Sequence, residues 1–229
     1  MRAWWAVAAG CCVALALSLV GCLVDSGTYC RSHAQCPGNE SCDPLTSRCR
    51  VECETDEDCK VNGMYVGKEC ASNRCEFRYD ERVSAPNFCS DVANAKSSYH
   101  GQQLCLADLK GKVVLIYFGQ LDCPSCAQQA NNLETEMLDV LRSQGLNDVE
   151  FLAVTTSSQG GGWEDHAAGY ETVGFPVLVD RTMGVFFVYG AVLDDIFLVD
   201  KQSRLVTKTE FSLALVNELN SKIRELHLE

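Results

Sequence analysis

The chain has 229 residues, 47% of them hydrophobic, with 31 acidic against 19 basic side chains and 15 cysteines. This is the composition of a globular exported protein, not a disordered or fibrous one. A net charge of −12 argues against nucleic acid as a partner, since binding to phosphate backbones rests on lysine and arginine. Cysteines at this density persist as disulfides mainly outside the cytosol, and their uneven spread suggests two domains.

Arg2 precedes an uncharged, mostly apolar run from Ala3 to Val20, which leads into Leu19-Val20-Gly21-Cys22. A basic start, an apolar middle and small residues before a cut form the general export pattern, and such a segment is excluded from fold reasoning. The run resembles a bacterial lipoprotein signal peptide. The resemblance implies removal of residues 1–21, lipidation of Cys22 and a short tether over 22–29, which would hold the protein on a membrane facing the periplasm or exterior. An uncleaved transmembrane anchor is the alternative. Cys11 and Cys12 lie inside the apolar run and are read as small hydrophobes of a discarded peptide.

Residues 30–75 hold Cys30, Cys36, Cys42 and Cys49, then Cys53, Cys59, Cys70 and Cys75. Two four-cysteine units open alike, Cys30-Arg-Ser-His-Ala-Gln-Cys36 and Cys53-Glu-Thr-Asp-Glu-Asp-Cys59, so the segment reads as a tandem repeat. Apolar residues between them are too sparse for an unaided core. Two disulfides per unit would staple it, with three connectivities open for each. Zinc is the competing reading, but the export signal favours disulfides over thiolate ligands, so no metal is expected. The module reads as a spacer, with a binding head as the alternative, and residues 76–87 read as a linker.

From residue 88 to 229 the chain alternates strand and helix signals. Lys112-Val-Val-Leu-Ile-Tyr-Phe118 has the continuous apolar character of a strand buried on both faces. Ala127, Ala130, Leu133, Met137 and Leu141 recur at helical spacing from Pro124 to about Ser143, closed by Gly145. Val149–Val154 reads as a second strand, Trp163–Tyr170 as a short helix, Pro176–Val179 as a strand and Thr182–Tyr189 as a helix. Ile196–Val199 and Leu205–Thr207 form a predicted hairpin about a turn at 200–203, and Ser212 caps a last amphipathic helix. The fold class is α/β, a mixed sheet with helices on both faces. Cys89 and Cys105 bracket an insert before the first long strand and are expected to pair.

The chemical centre is Cys123-Pro124-Ser125-Cys126, at the junction of the first long strand and its helix. Unpaired N–H groups and the positive end of the dipole at a helix N-terminus favour a thiolate, and Pro124 suits the first turn. Cys123 is expected to attack an oxidised sulfur and Cys126 to resolve the mixed disulfide. Asp122 opposes thiolate formation by adding negative charge nearby. A structural disulfide or half of a metal site are the alternatives. Gly160–Gly162 lacks the lysine and hydroxyl of a phosphate loop. His33, His100, His166 and His227 are scattered, and a copper-delivery site would need a wider cysteine spacing and a positioned histidine. Trp163 is read as packing.

Lys112–Cys126 resembles the strand and active-site turn of thioredoxin-like proteins. Phe175-Pro-Val-Leu-Val-Asp180, Tyr189 through Asp194-Asp195 to Asp200, and Arg204-Leu-Val are similar to the N-terminal domain of selenoprotein P and its bacterial relatives. The resemblance implies a thioredoxin-like fold over about residues 85–225 and a thiol-disulfide oxidoreductase acting on protein disulfides, with a thiol electron donor and no cofactor. Asp195 would stand where thioredoxins place a cis-proline, with Pro176 as a substitute candidate. An acidic residue there shifts the expectation toward a hydroperoxide substrate or a narrow partner. A non-catalytic lipoprotein retaining only the fold is the rival reading.

Overall fold

The computed structural model describes residues 30, 35–36, 41–43, 48–51, 53–60, 67–71, 74–156 and 167–229. Readings that fall on Cys22, the signal segment, His33, Gly160–Gly162, Trp163 and His166 lie outside these residues. Among the described residues no helix is long and apolar enough to cross a membrane.

Each repeat folds as a small hairpin crosslinked by two disulfides. In the first, β1 (Ser41–Asp43) pairs antiparallel with β2 (Arg48–Arg50), and Cys30 bonds Cys42 while Cys36 bonds Cys49. In the second, β3 (Lys68–Ala71) pairs with β4 (Arg74–Phe77), and Cys53 bonds Cys70 while Cys59 bonds Cys75. Both units therefore use the first-to-third, second-to-fourth connectivity, which the spacings had left open. Three sulfurs of each unit gather within 4.8 Å. Stacked disulfides account for that clustering, and a sulfur held in a disulfide has no thiolate to offer a metal.

A third hairpin, β5 (Cys89–Asp91) with β6 (Gln103–Cys105), is closed by the Cys89–Cys105 disulfide. Beyond it lies a five-stranded mixed sheet in the order β11-β10-β7-β8-β9. Its parallel strands are β7 (Val113–Gln120), β8 (Val149–Thr156) and β9 (Val177–Val179). The antiparallel pair is β10 (Asp195–Val199) and β11 (Leu205–Glu210). This is the mixed α/β thioredoxin-like arrangement.

Side chains alternate across this sheet with period two, so two cores form. Val113, Leu115 and Tyr117 join Phe151, Ala153, Ile196 and Leu198 on one face. They pack under α1 (Pro124–Leu133), α2 (Asp139–Ser143) and α4 (Val216–Leu228). Val114, Ile116 and Phe118 join Leu152, Leu178, Phe197 and Val199 on the other, beneath α3 (Gly184–Tyr189). Each fully buried aliphatic or aromatic side chain here contributes about 1.5–3 kcal/mol. A π-turn at Glu134–Leu138 joins α1 to α2, making one long helix with a local widening.

The sequence placed the first strand two residues short, because Gly119 and Gln120 look like loop residues; in the structure they pair with Thr155 and Thr156. Ser212 is extended and makes no side-chain cap. Its carbonyl instead accepts the Leu215 N–H at 3.0 Å, closing a 3-10 turn before α4. Residues 83–85 lie against the C-terminal hairpin, with Ala85 N–H donating to Ser203 O at 2.9 Å and Leu205 N–H to Val83 O at 2.8 Å.

Candidate active site

The C-terminal end of β7 runs into a turn at Leu121–Asp122 and then into α1, so the strand delivers Cys123 to the N-cap of that helix. Cys123 is extended (φ −113°, ψ 102°) and Pro124 opens the first turn. The Cys126 N–H donates to Cys123 Sγ at 3.2 Å, and the Ala127 N–H to the Cys123 carbonyl at 3.1 Å. Two donors at the helix start thus turn toward the Cys123 backbone and sulfur, where negative charge is stabilised. Cys123 and Cys126 form a disulfide, with Cα atoms 5.3 Å apart.

The two sulfurs differ in access. Cys123 is half-buried at the edge of the α1-side core and Cys126 is only 2% exposed. Pro124 and Ser125 are exposed, Asp122 is half-buried, and Ser125 Oγ lies 3.2 Å from Cys123 Sγ. A partner molecule can approach Cys123 from solvent, whereas Cys126 is reached through Cys123.

The second aspartate of the Asp194-Asp195 pair is not where the sequence reading put it. Asp195 begins β10 on the face of Phe197 and Val199, opposite α1. There its carboxylate meets Lys208 Nζ at 2.9 Å and accepts the Val192 N–H at 2.8 Å. Burial pushes its pKa up, against the pull of Lys208 and the Val192 N–H. Among the described residues no peptide bond is cis, so Pro176 does not supply a cis-proline either; its carbonyl accepts the Ala153 N–H in the sheet edge.

Asp194, one residue earlier, reaches the α1-side core through Tyr117, whose ring shares that core with Cys126. Its carboxylate accepts from the Tyr117 hydroxyl at 2.9 Å, and the same hydroxyl lies 2.7 Å from Gln129 Oε1 and 3.4 Å from the Cys126 carbonyl. A phenol has one proton. Donated to Asp194, it leaves the oxygen to accept from Gln129 once that amide presents its nitrogen. Burial, with the negative charge of Asp194 adding to it, holds the Tyr117 pKa far above the usual tyrosine range. Tyr170 closes the same corner, its hydroxyl donating to Gln120 O at 3.2 Å.

Tyr117, Gln129 and Asp194 were not singled out from the sequence as site residues. Two signals existed. Gln129 follows Cys126 by three residues, which puts both on one helix face. Tyr117 shares parity with Leu115, the α1 side of β7. His100 is exposed, and His227 pairs with Asp148 at the far end of α4.

The model of the AhpC/TSA family matches residues 82–209. The chain belongs to that family. A candidate protein disulfide isomerase from Bacteroides thetaiotaomicron is 19% identical, with TM-score 0.52 over 64% of this chain and 89% of that one. A candidate thiol:disulfide interchange protein DsbE from Chlorobium tepidum is 20% identical, with TM-score 0.51 over 63% and 95%. An uncharacterized conserved protein from Geobacillus kaustophilus is 18% identical, with TM-score 0.50 over 63% and 80%. These likenesses establish the thioredoxin-like fold. No curated protein sequence matches the chain.

Proposed function

We propose that this AhpC/TSA-family chain is an envelope-anchored thiol-disulfide oxidoreductase using Cys123 as nucleophile and Cys126 as resolving thiol. The observation that carries the reading is the asymmetry of the pair: a half-exposed sulfur at a helix N-cap and a buried one a turn behind it, already joined as a disulfide. Starting from the reduced pair, the Cys123 thiolate attacks a substrate disulfide and forms a mixed disulfide, and the displaced substrate thiolate takes up a proton. The Cys126 thiolate then attacks Cys123 Sγ and releases the second substrate thiol. Two electrons pass to the substrate, the Cys123–Cys126 disulfide forms, and a thiol donor resets it.

Family membership supports a second reading, reduction of a hydroperoxide. Cys123 would take the terminal oxygen as a sulfenic acid with release of the alcohol, and Cys126 would condense with it, releasing water.

Anchoring at Cys22 rests on the apolar leader and the Leu19-Val20-Gly21-Cys22 sequence. With it goes the division into signal peptide (1–21), tether (22–29), repeat (30–75), linker (76–87) and thioredoxin-like domain (88–229), the last similar to the selenoprotein P N-terminal domain. The Cys22→Ala chain should leave the membrane fraction on cell lysis and fractionation.

Turnover of an insulin-type protein disulfide and of hydrogen peroxide, measured on wild type, Cys123→Ser and Cys126→Ser, tests the redox reading. Cys123→Ser should abolish turnover, and Cys126→Ser should accumulate a mixed disulfide with the protein substrate, visible by mass. Equal and negligible turnover in all three would leave the non-catalytic reading.

A further inference from the structure

We infer that the first disulfide-rich repeat is a brace for the active-site turn, holding residues 192–195 in the conformation that presents Asp194 to Tyr117 beside the dithiol. Its relevance to chemistry rests on the redox reading of Cys123–Cys126; the brace itself does not.

The turn is an unusual one. Asp194 has φ 74°, a left-handed conformation that is unfavourable for a non-glycine residue and persists where its surroundings over-determine it. On the sheet side those surroundings are backbone: Asp194 N–H donates to Phe118 O at 2.8 Å, and Phe211 N–H donates to Asp194 O at 2.7 Å. On the other side they come from the cysteine-rich segment. Val192 is 3% exposed and forms one buried cluster with Cys30, Cys42 and Cys49, with Cys36 packed at its edge. The repeat thus seats its two disulfides on the residue that starts the turn.

The second repeat makes an independent contact one step earlier. A Cβ on Gly190 would lie 3.1 Å from Lys68 Nζ and 3.8 Å from the Cys75 carbonyl, so β3 and β4 close against the chain where it leaves α3. Lys208 then ties this entry to the turn, donating to Gly190 O at 3.0 Å and pairing with Asp195 at 2.9 Å. Asp195 in turn accepts the Val192 N–H. A continuous set of contacts runs from the repeat disulfides through Val192 and the turn to Asp194 and on to Tyr117, whose ring shares one buried core with Cys126. A module that acted only as a spacer would need none of them. Val192 is a positioning residue here, not a catalytic one.

The test uses the full chain with Val192→Ala, the paired Cys30→Ala/Cys42→Ala variant, and Cys89→Ala/Cys105→Ala as a disulfide-loss control remote from the turn. Hydrogen exchange of the 190–196 backbone reports the brace, and the iodoacetamide rate of Cys123 in the reduced protein reports its link to the site. Loss of the seat should speed exchange in that segment roughly tenfold and change the Cys123 rate by about threefold or more, with the control like wild type in both. Unchanged exchange in both seat variants overturns the brace, and faster exchange with an unchanged Cys123 rate overturns its role in setting reactivity. If both readouts respond while wild type turns over neither a disulfide nor a peroxide, the redox reading fails and the brace stands.

Discussion

Tyr117 is the residue at which strand, helix and turn meet. Its ring is fully buried in the α1-side core, and its hydroxyl donates to Asp194 and meets the Gln129 amide. Removing the hydroxyl in Tyr117→Phe leaves a charged acceptor without its donor, an effect on the order of 1–3 kcal/mol. A lower urea midpoint with an unchanged slope would show it. The tyrosines also carry a pH signature. Burial raises the pKa of Tyr79, Tyr117, Tyr170 and Tyr189 well above the ordinary value of 10.0. The unfolded chain therefore releases these protons first as pH rises, and stability falls above about pH 10. Of the seven tyrosines, subtracting these four leaves at most three to show tyrosinate absorbance before the chain unfolds. A fourth ionising smoothly in the folded protein would contradict the buried assignment.

Gly119 shows how an element depends on one missing side chain. A Cβ there would lie 2.7 Å from the Tyr170 hydroxyl and 2.9 Å from the Tyr117 ring, so β7 can reach Gln120 and the dithiol turn only with glycine at this place. Its backbone is ordinary strand, and the reason is space. Gly119→Ala should destabilise by about 1–3 kcal/mol through overpacking, seen as a lower thermal midpoint. Because the displaced rings are those beside Cys126, it should also alter the Cys123 alkylation rate, which a surface change such as Val140→Ala should not do. The π-turn is a second case. Glu134 is buried and accepts the Gly174 N–H at 2.8 Å, with Lys96 at 3.3 Å. The inward carboxylate pins the helix where its ladder widens. The heptad-like spacing of Ala127, Ala130, Leu133, Met137 and Leu141 showed the buried face, but a hydrogen bond to a residue forty positions away leaves no periodic trace.

At the scale of the molecule, ion pairs tie the last helix to the sheet and to the segment before it. Arg82 joins both Glu229 and the buried Asp200, which also pairs with Arg204 at 2.7 Å. Asp148 joins Lys201 and His227. Partial burial pushes the Asp148 pKa up, but hydrogen bonds from Lys201 and His227 outweigh it and the net shift is below 3.8. A depressed carboxylate stabilises above its unfolded pKa and loses that contribution as pH falls through the folded value. The wild type should therefore lose thermal midpoint below about pH 4 more steeply than Asp148→Asn, which lacks the titrating group. Parallel curves for the two proteins would remove Asp148 from the account.

Features under local physical control were legible in the chain. Alternation and apolar runs located the strands of the sheet, helical spacing located the buried face of α1, and the Cys123-Pro124 cap located the head of that helix. The long parallel strands and the hairpin about Asp200 were legible because their signals are continuous over neighbouring residues. Other features depend on contacts between distant parts of the chain. Disulfide connectivity depends on which sulfurs a hairpin brings within bonding distance, and four cysteines in a row permit three answers. Which of two adjacent aspartates meets the Tyr117 hydroxyl depends on where β10 begins, since a shift of one residue turns a side chain to the other face of the sheet. The seating of the repeat on Val192 is a contact between residues more than 140 positions apart. It arises from two surfaces fitting together, which no local pattern encodes.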